Sequence, residues 1–212
     1  MSILTEISEL VQKGRAKEVQ ALVQQALDEK ISAKEILNNG LCPGMTAIGE
    51  KFKNNEVYVP EVLIASRAMT KGTDILKPYL VSEGVEPAGK AVICTVKGDM
   101  HDIGKNLVKM MFEGSGIECI DLGTDVDPQK IVEAVKETGA KIVCLSALLT
   151  TTMINQKSAI EALCEAGIRD DVVVMIGGAP VSEDYAGEIG ADIYTNDAAS
   201  AAAAALAALK NI

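Results

Sequence analysis

Apolar positions over roughly the first 80 residues recur every three to four residues, the period of a helix face. Ile3, Leu4, Ile7, Leu10 and Val11 form one such stripe, and Val19, Leu22, Val23, Ala26 and Leu27 form another. Ser32, with Glu35 three residues on, has the form of an N-cap for a third helix. That helix should bend or restart at Pro43-Gly44 and continue to about Asn54. Pro60 stands where a first helical turn accepts proline. After it Val62, Ala65, Met69, Ile75, Leu76 and Tyr79 mark one face of a fourth helix. Ala65, Ser66, Ala68 and Gly72 on that segment are small enough for another body to approach closely. Four amphipathic helices with short connections predict an antiparallel bundle.

Residues 82–89, with two glycines, a proline and two acids, read as a linker. Beyond them the pattern changes to short, β-branched, nearly continuous apolar runs at Ala91–Val96, Ile117–Leu122, Lys141–Leu145, Val172–Ile176 and Ala191–Tyr194. Such runs suit strands buried on both faces. Helical stretches lie between them, at about 103–113, 128–138, 153–166, 182–188 and 197–210. Asp127-Pro128 opens one of these and Gly139 closes it. Strands alternating with helices predict a flavodoxin-like (Rossmann-like) parallel sheet; the strand order is not readable directly, and 2-1-3-4-5 is the commonest for a five-stranded unit of this size. The expected organisation is a helical bundle over 1–81, a linker at 82–89 and an α/β domain over 90–212.

Composition removes several function classes. The 212-residue chain carries a formal charge of −10 with no basic cluster, which argues against a nucleic-acid groove. No apolar run approaches the ~18 residues of a membrane helix. The N-terminus shows no basic region before an apolar stretch, so a cytoplasmic location is expected. The five cysteines form no CxxC pair, against a disulfide framework or zinc site. Cys94, Cys119 and Cys144 lie in apolar runs and read as small buried hydrophobes. There is one histidine, His101, and any imidazole chemistry must use it.

In a doubly wound sheet, ligands bind beyond the carboxyl ends of the strands. Glycines, hydroxyl residues and His101 all fall at such ends. Strand 1 runs into Gly98-Asp99-Met100-His101-Asp102-Ile103-Gly104 and strand 3 into Ser146-Ala147-Leu148-Leu149-Thr150-Thr151-Thr152. Strand 4 runs into Gly177-Gly178. The spacing from Gly98 to Gly104 is not that of a P-loop, and neither GxGxxG nor GxSxG is present. Asp99, two residues before His101, can accept the Nδ1 proton and leave Nε2 free for a metal. With no further ligand cluster, the metal should arrive inside a macrocycle that needs one axial imidazole. Haem and cobalamin are the candidates, and haem would call for a hydrophobic slot with aromatics, which are scarce in this chain.

Asp99-Met100-His101-Asp102-Ile103-Gly104 resembles the DxHxxG motif of base-off, His-on cobalamin-binding domains. Ser146-Ala147-Leu148 is similar to the SxL motif that follows it, and Gly177-Gly178 to the GG motif. The helical half, with Val57-Tyr58-Val59-Pro60-Glu61, resembles the cap of methionine synthase, and the whole looks like a small corrinoid protein of three-component methyltransferase systems. The resemblance implies that His101 is the lower axial ligand of cobalt, with Asp99 and Thr152 as its hydrogen-bond relay. Many relatives have Ser at the Thr152 position. Met100, Asp102 and Ile103 belong to the same cofactor-binding loop, although Asp102 also reads as a helix N-cap. Gly104 lets a helix approach the corrin. Ser146, Leu148, Gly177 and Gly178 line the slot for the displaced nucleotide tail, so that Gly178→Val should weaken cobalamin binding far more than it weakens the fold. Thr150 lies near the corrin, and Tyr58, Ala65 and Met69 lie at its upper face.

The implied function is a methyl carrier working through Co(I) and methyl-Co(III), with no catalysis of its own. The cofactor is cobalamin or a related corrinoid, methylcobalamin when loaded. Its partners are a substrate-specific methyltransferase, a pterin- or thiol-dependent methyltransferase and a reductive activator of Co(II), with no nucleic acid and no membrane. A mutase subunit would share the motifs without the four-helix cap. A cobalamin-based sensor would add a DNA-binding module.

Overall fold

The computed structural model describes residues 2–211, and their contacts divide the chain into two compact units. One comprises 1–87 with 114–116, and the other 88–113 with 117–212. The first unit is helical: α1 (Ile3–Gln12), α2 (Ala16–Asp28), α3 (Ala33–Ile36), α4 (Cys42–Lys53) and α5 (Val59–Ser82). The Ser32 hydroxyl accepts the Glu35 N–H at 3.2 Å, so the expected cap forms. The expected bend comes just before Pro43. Leu37–Leu41 wind as a π-turn between α3 and α4, with the Cys42 N–H reaching the Leu37 carbonyl. Pro43 brings no N–H and its ring crowds the carbonyl four residues back, so the preceding turn widens.

Ile7, Val11, Val19, Val23, Ile36 and Leu76 are among the buried side chains of this unit. The small stripe on α5 has an occupant within the bundle. A Cβ at Gly72 would lie 2.8 Å from Leu41 Cδ2 and 3.0 Å from Val19 Cγ1, so α2 and the π-turn close onto it. The predicted face of α5 is corrected at its end: Ile75 is half-buried and Tyr79 is exposed. Six residues, 83–88, join α5 to the next unit, and the first of them is anchored. The Glu83 carboxylate accepts the Ala33 and Lys34 N–H groups at 2.8 and 3.1 Å, capping α3 from 49–50 residues away.

The second unit alternates β1 (Gly89–Thr95), α6 (Ile103–Gly114), β2 (Ile117–Asp121), α7 (Pro128–Thr138), β3 (Ile142–Ser146), α8 (Ile154–Glu165), β4 (Val173–Gly177), α9 (Glu183–Ile189), β5 (Ile193–Tyr194) and α10 (Ala198–Leu209). All strand pairs are parallel, as the pattern predicts, and their order is β2-β1-β3-β4-β5, the commonest for such a unit. Asp127 caps α7 by accepting the Gln129 N–H at 3.1 Å, and Gly139 ends it in the left-handed region at φ 66°. One sheet face, with Val92, Cys94, Val143, Leu145, Val174 and Ile176, packs on α7–α9 through residues such as Ile131, Ala159 and Leu163. Cys94 and Cys144 are buried as expected, and burial pushes the Cys94 thiol up to about 12. Cys119 is only half-buried, because β2 is the edge strand. Thr95, Ser146 and Gly177 are successive register partners, so β1, β3 and β4 end level with one another and their loops share one rim.

Candidate functional site

Asp99 organises this rim. Its side chain is fully buried, and both carboxylate oxygens are occupied. Oδ1 accepts the His101 N–H at 3.1 Å and faces His101 Nδ1 at 2.7 Å. Oδ2 accepts the Thr152 hydroxyl at 2.6 Å and the Leu148 N–H at 2.8 Å, with the Leu149 N–H at 3.4 Å. Burial by itself would favour the neutral acid. The bonds from Thr152, the His101 N–H and ring, and Leu148 outweigh it and hold the carboxyl well below the usual range. An ionised carboxylate only accepts, so His101 Nδ1 carries the proton of this bond and Nε2 is left with a free lone pair in the neutral ring. The His101 side chain is 51% exposed although its partner is wholly enclosed. Thr95 completes the mount by donating its hydroxyl to the His101 carbonyl at 2.8 Å.

The site residues read from the sequence are placed differently by the fold. Asp99, His101, Thr152 and Leu148 are joined by the bonds above. Met100 and Ile103 are 69% and 72% exposed beside them, Leu148 and Leu149 are exposed to 42% and 43%, and Thr150 is exposed in the turn before α8. The Asp102 carboxylate accepts the Asn106 side-chain amide at 3.0 Å while its carbonyl takes the Asn106 N–H. Ser146 and Gly177 lie side by side on β3 and β4. Tyr58, Ala65 and Met69 belong to the helical unit, where Tyr58 is the exposed N-cap of α5 and the other two are buried.

The two adjacent glycines are not equivalent. A Cβ at Gly177 would have only the Thr195 carbonyl near it, at 3.8 Å. Gly178 has φ +134°, and its Cβ would overlap the Ala147 carbonyl. The expectation that Gly178→Val spares the fold is therefore corrected: Gly178 is required by the backbone itself.

Sequence reasoning passed over Thr95, Leu149 and Gln156. The Gln156 Nε2 donates to the Leu145 and Gly177 carbonyls at 2.9 and 3.1 Å and so ties the ends of β3 and β4. Its Oε1 is buried without a partner. One signal was available, a polar residue at helical spacing with the buried Ala159, Ile160 and Leu163. Thr95 gave none, since a threonine in a strand is ordinary.

A metal held inside a macrocycle asks the protein for one axial donor, an apolar floor and space for close approach. The rim fits this request. No group of three or more His, Cys, Asp or Glu side chains suited to a metal occurs among the described residues, so His101 acts without a ligand cluster. Exposed Met100, Ile103, Leu148 and Leu149 supply apolar surface. A Cβ at Gly104 would meet nothing within 4 Å, so the start of α6 presents bare backbone to open space.

Comparison with known proteins defines the class. Residues 89–206 match a B12 binding domain, and residues 3–77 match a second B12 binding domain model. The chain belongs to the B12-binding family, among the corrinoid proteins of methyltransferase systems. It is 41% identical to a corrinoid protein of Desulfitobacterium hafniense over 93% of both chains. It is 43% identical to a monomethylamine corrinoid protein of Methanosarcina mazei over 89% of both. Its fold matches a cobalamin-binding protein from Desulfitobacterium hafniense with a TM-score of 0.82, at 32% identity over 97% of this chain and 98% of that one. It also matches a chain of the methanol:cobalamin methyltransferase complex of Methanosarcina barkeri with a TM-score of 0.87, at 27% identity over 99% of this chain and 80% of that one. No helix among the described residues is long and apolar enough to cross a membrane.

Proposed function

We propose that the protein is a corrinoid methyl carrier in which His101 is the lower axial ligand of cobalt in base-off, His-on cobalamin. The observation that carries this reading is the half-exposed imidazole whose Nδ1 is tied at 2.7 Å to a fully buried carboxylate. When bound, the corrinoid supplies a cobalt centre that takes up and releases a methyl group. The chain's own work is positional. Asp99 fixes the tautomer and plane of His101 and makes Nε2 a better donor, while Thr152 and the Leu148 N–H keep Asp99 ionised. Ser146 and Gly177 flank the slot for the nucleotide tail. Tyr58, the exposed one of the three residues on the helical unit, serves as a removable cover for the upper face. By analogy with the methylamine and methanol systems of its relatives, a substrate-specific methyltransferase loads the carrier. A second methyltransferase, with a pterin or thiol acceptor, unloads it, and a reductive activator restores carriers lost to Co(II).

The test is the EPR spectrum of protein loaded with cob(II)alamin. The wild-type spectrum should show splitting from one axial nitrogen, and growth on ¹⁵N-histidine should change that splitting from a triplet to a doublet. The substitution His101→Ala should remove the histidine splitting while some cobalamin is retained through the tail slot. A splitting indifferent to histidine labelling would assign the nitrogen to the cofactor's own base and overturn the reading.

A further inference from the structure

The carboxylate of Asp99 is held by the motif residues, but its main chain is held by a residue outside all three motifs. Asp125 lies in the loop between β2 and α7. Its Oδ1 accepts the Gly98 N–H at 2.7 Å, and its own N–H donates to the Asp99 carbonyl at 2.9 Å. One residue thus grips both sides of the Gly98–Asp99 segment. The grip is set in a left-handed conformation, with Asp125 at φ 53° and Gly98 at φ 80°. A non-glycine residue at positive φ stores strain and persists only where its surroundings over-determine it. The surroundings here are two strand ends: the Thr95 N–H bonds the Gly123 carbonyl, the Val126 N–H bonds the Thr95 carbonyl, and Val96 bridges Val126.

We infer that Asp125 is a positioning residue for the axial ligand. It fixes the peptide from which Asp99 reaches His101, and so sets how completely His101 engages the metal. The inference rests on the proposed ligation by His101, because a histidine that bound no metal would have nothing to be positioned for. The Lys97–Asp127 ion pair, at 2.7 Å, joins the same two loops but grips no peptide of the Gly98–Asp99 segment, which makes it the natural control.

The experiment compares Asp125→Asn, Asp125→Gly, Asp125→Ala and Lys97→Gln, each loaded with cob(II)alamin, by EPR and by thermal unfolding. Asparagine keeps the oxygen acceptor and tolerates positive φ, so Asp125→Asn should keep the histidine-split signal. Glycine relieves the φ strain but has no acceptor. Asp125→Gly should therefore unfold at or above the wild-type temperature while losing at least half of the histidine-split signal to a form without axial histidine. Asp125→Ala should lose both stability and signal, and Lys97→Gln should lose neither. Cobalamin affinity should fall about 3- to 10-fold in the glycine variant, equivalent to ~0.7–1.4 kcal/mol. If the wild-type protein itself shows no histidine splitting, the ligation reading fails. If the wild type shows it and Asp125→Gly shows it undiminished, ligation stands and the positioning role of Asp125 is overturned.

Discussion

In the helical unit, most side-chain hydrogen bonds join neighbours on one helix, as Gln24 joins Asp28, Gln25 joins Glu29 and Lys77 joins Asp74. Glu83 on α3 and Lys51 on Gln12 are its longer links. In the α/β unit local bonds are joined by many that cross the chain. Thr152 meets Asp99 over 53 residues, Asn155 donates to the Lys97 carbonyl over 58, and Asp125 accepts from Gly98 over 27. Apolar packing, which is non-directional, therefore sets the geometry of the bundle, and directional bonds between distant segments set that of the rim. A rim built this way holds a reacting group to a fraction of an ångström. A bundle built by packing tolerates exchange on its outer positions.

The hardest test of this contrast is at Gly178. Gly178→Val places a Cβ into the Ala147 carbonyl at φ +134°. Overlap and strain together should cost about 2–6 kcal/mol, a large share of the about 5–15 kcal/mol of an ordinary domain, so the unfolding transition should move to a markedly lower temperature. Gly177→Ala meets only ordinary contact, so it should fold as the wild type does while its cobalamin affinity falls about tenfold. Thermal unfolding beside a cobalamin titration separates the two effects. A well-folded Gly178→Val variant would show that the rim is looser than its bonds imply. Undiminished binding by Gly177→Ala would move the tail slot away from β4.

A smaller effect is expected in the first turn of α6. Lys105 is almost fully buried, and its Nζ donates to Asp121 at 2.8 and 2.9 Å and to Asn106 at 2.7 Å. Lys105→Met should cost about 2–3 kcal/mol, less than the about 3–5 kcal/mol of breaking a fully buried pair, because Asp121 is partly exposed and Lys109 and the Gly123 N–H still hold its carboxylate. The same pair gives a pH dependence. Burial raises the Asp121 pKa, but Lys105, the Gly123 N–H and Lys109 outweigh it and bring it below its ordinary value. A carboxyl depressed in the folded state contributes stability that is complete above its unfolded value. That contribution is lost as pH falls below about 4 toward the folded value. Wild-type stability should thus drop through this acid range, and the drop should be smaller in Lys105→Met. Parallel acid profiles for the two proteins would remove Asp121 from the account.

These contrasts also explain what could be read from the residues alone. The strands and the helix starts at Ser32 and Asp127 follow from periodicity and local capping, which act over a few neighbours; the strand order is not legible in the residues and is the one most common for a five-stranded unit of this kind. Asp99, His101 and Thr152 were legible as a resemblance, and their pairing needed the sheet that levels Thr95, Ser146 and Gly177. The π-turn before Pro43 was visible only as a bend, since a breaker marks where a helix fails and not how the backbone responds. Thr95, Asp125 and Gln156 act through peptide groups across loops, and a bond to a carbonyl leaves no mark on the partner's identity. Gly178 and Gly177 read alike as a pair, because their difference is one of backbone dihedral and neighbour.

The smallest structural effect is expected where the helical unit offers its proposed cover. Tyr58 is 65% exposed, and what it contributes locally comes from its backbone, whose N–H donates to Glu61 at 3.0 Å. Tyr58→Ala keeps that bond and removes a side chain with little burial, so stability should change by no more than about 0.5 kcal/mol. Cobalamin affinity should likewise be nearly unchanged, since the proposed axial ligand and tail slot belong to the other unit. If the ring covers the upper face, the rate at which oxygen re-oxidises bound, reduced cobalamin should rise several-fold, and Tyr58→Phe should restore it because the cover is steric. Stopped-flow absorbance on the loaded variants reads this directly. Equal re-oxidation rates for wild type and Tyr58→Ala would leave Tyr58 as a surface N-cap and confine the cofactor's recognition to the rim.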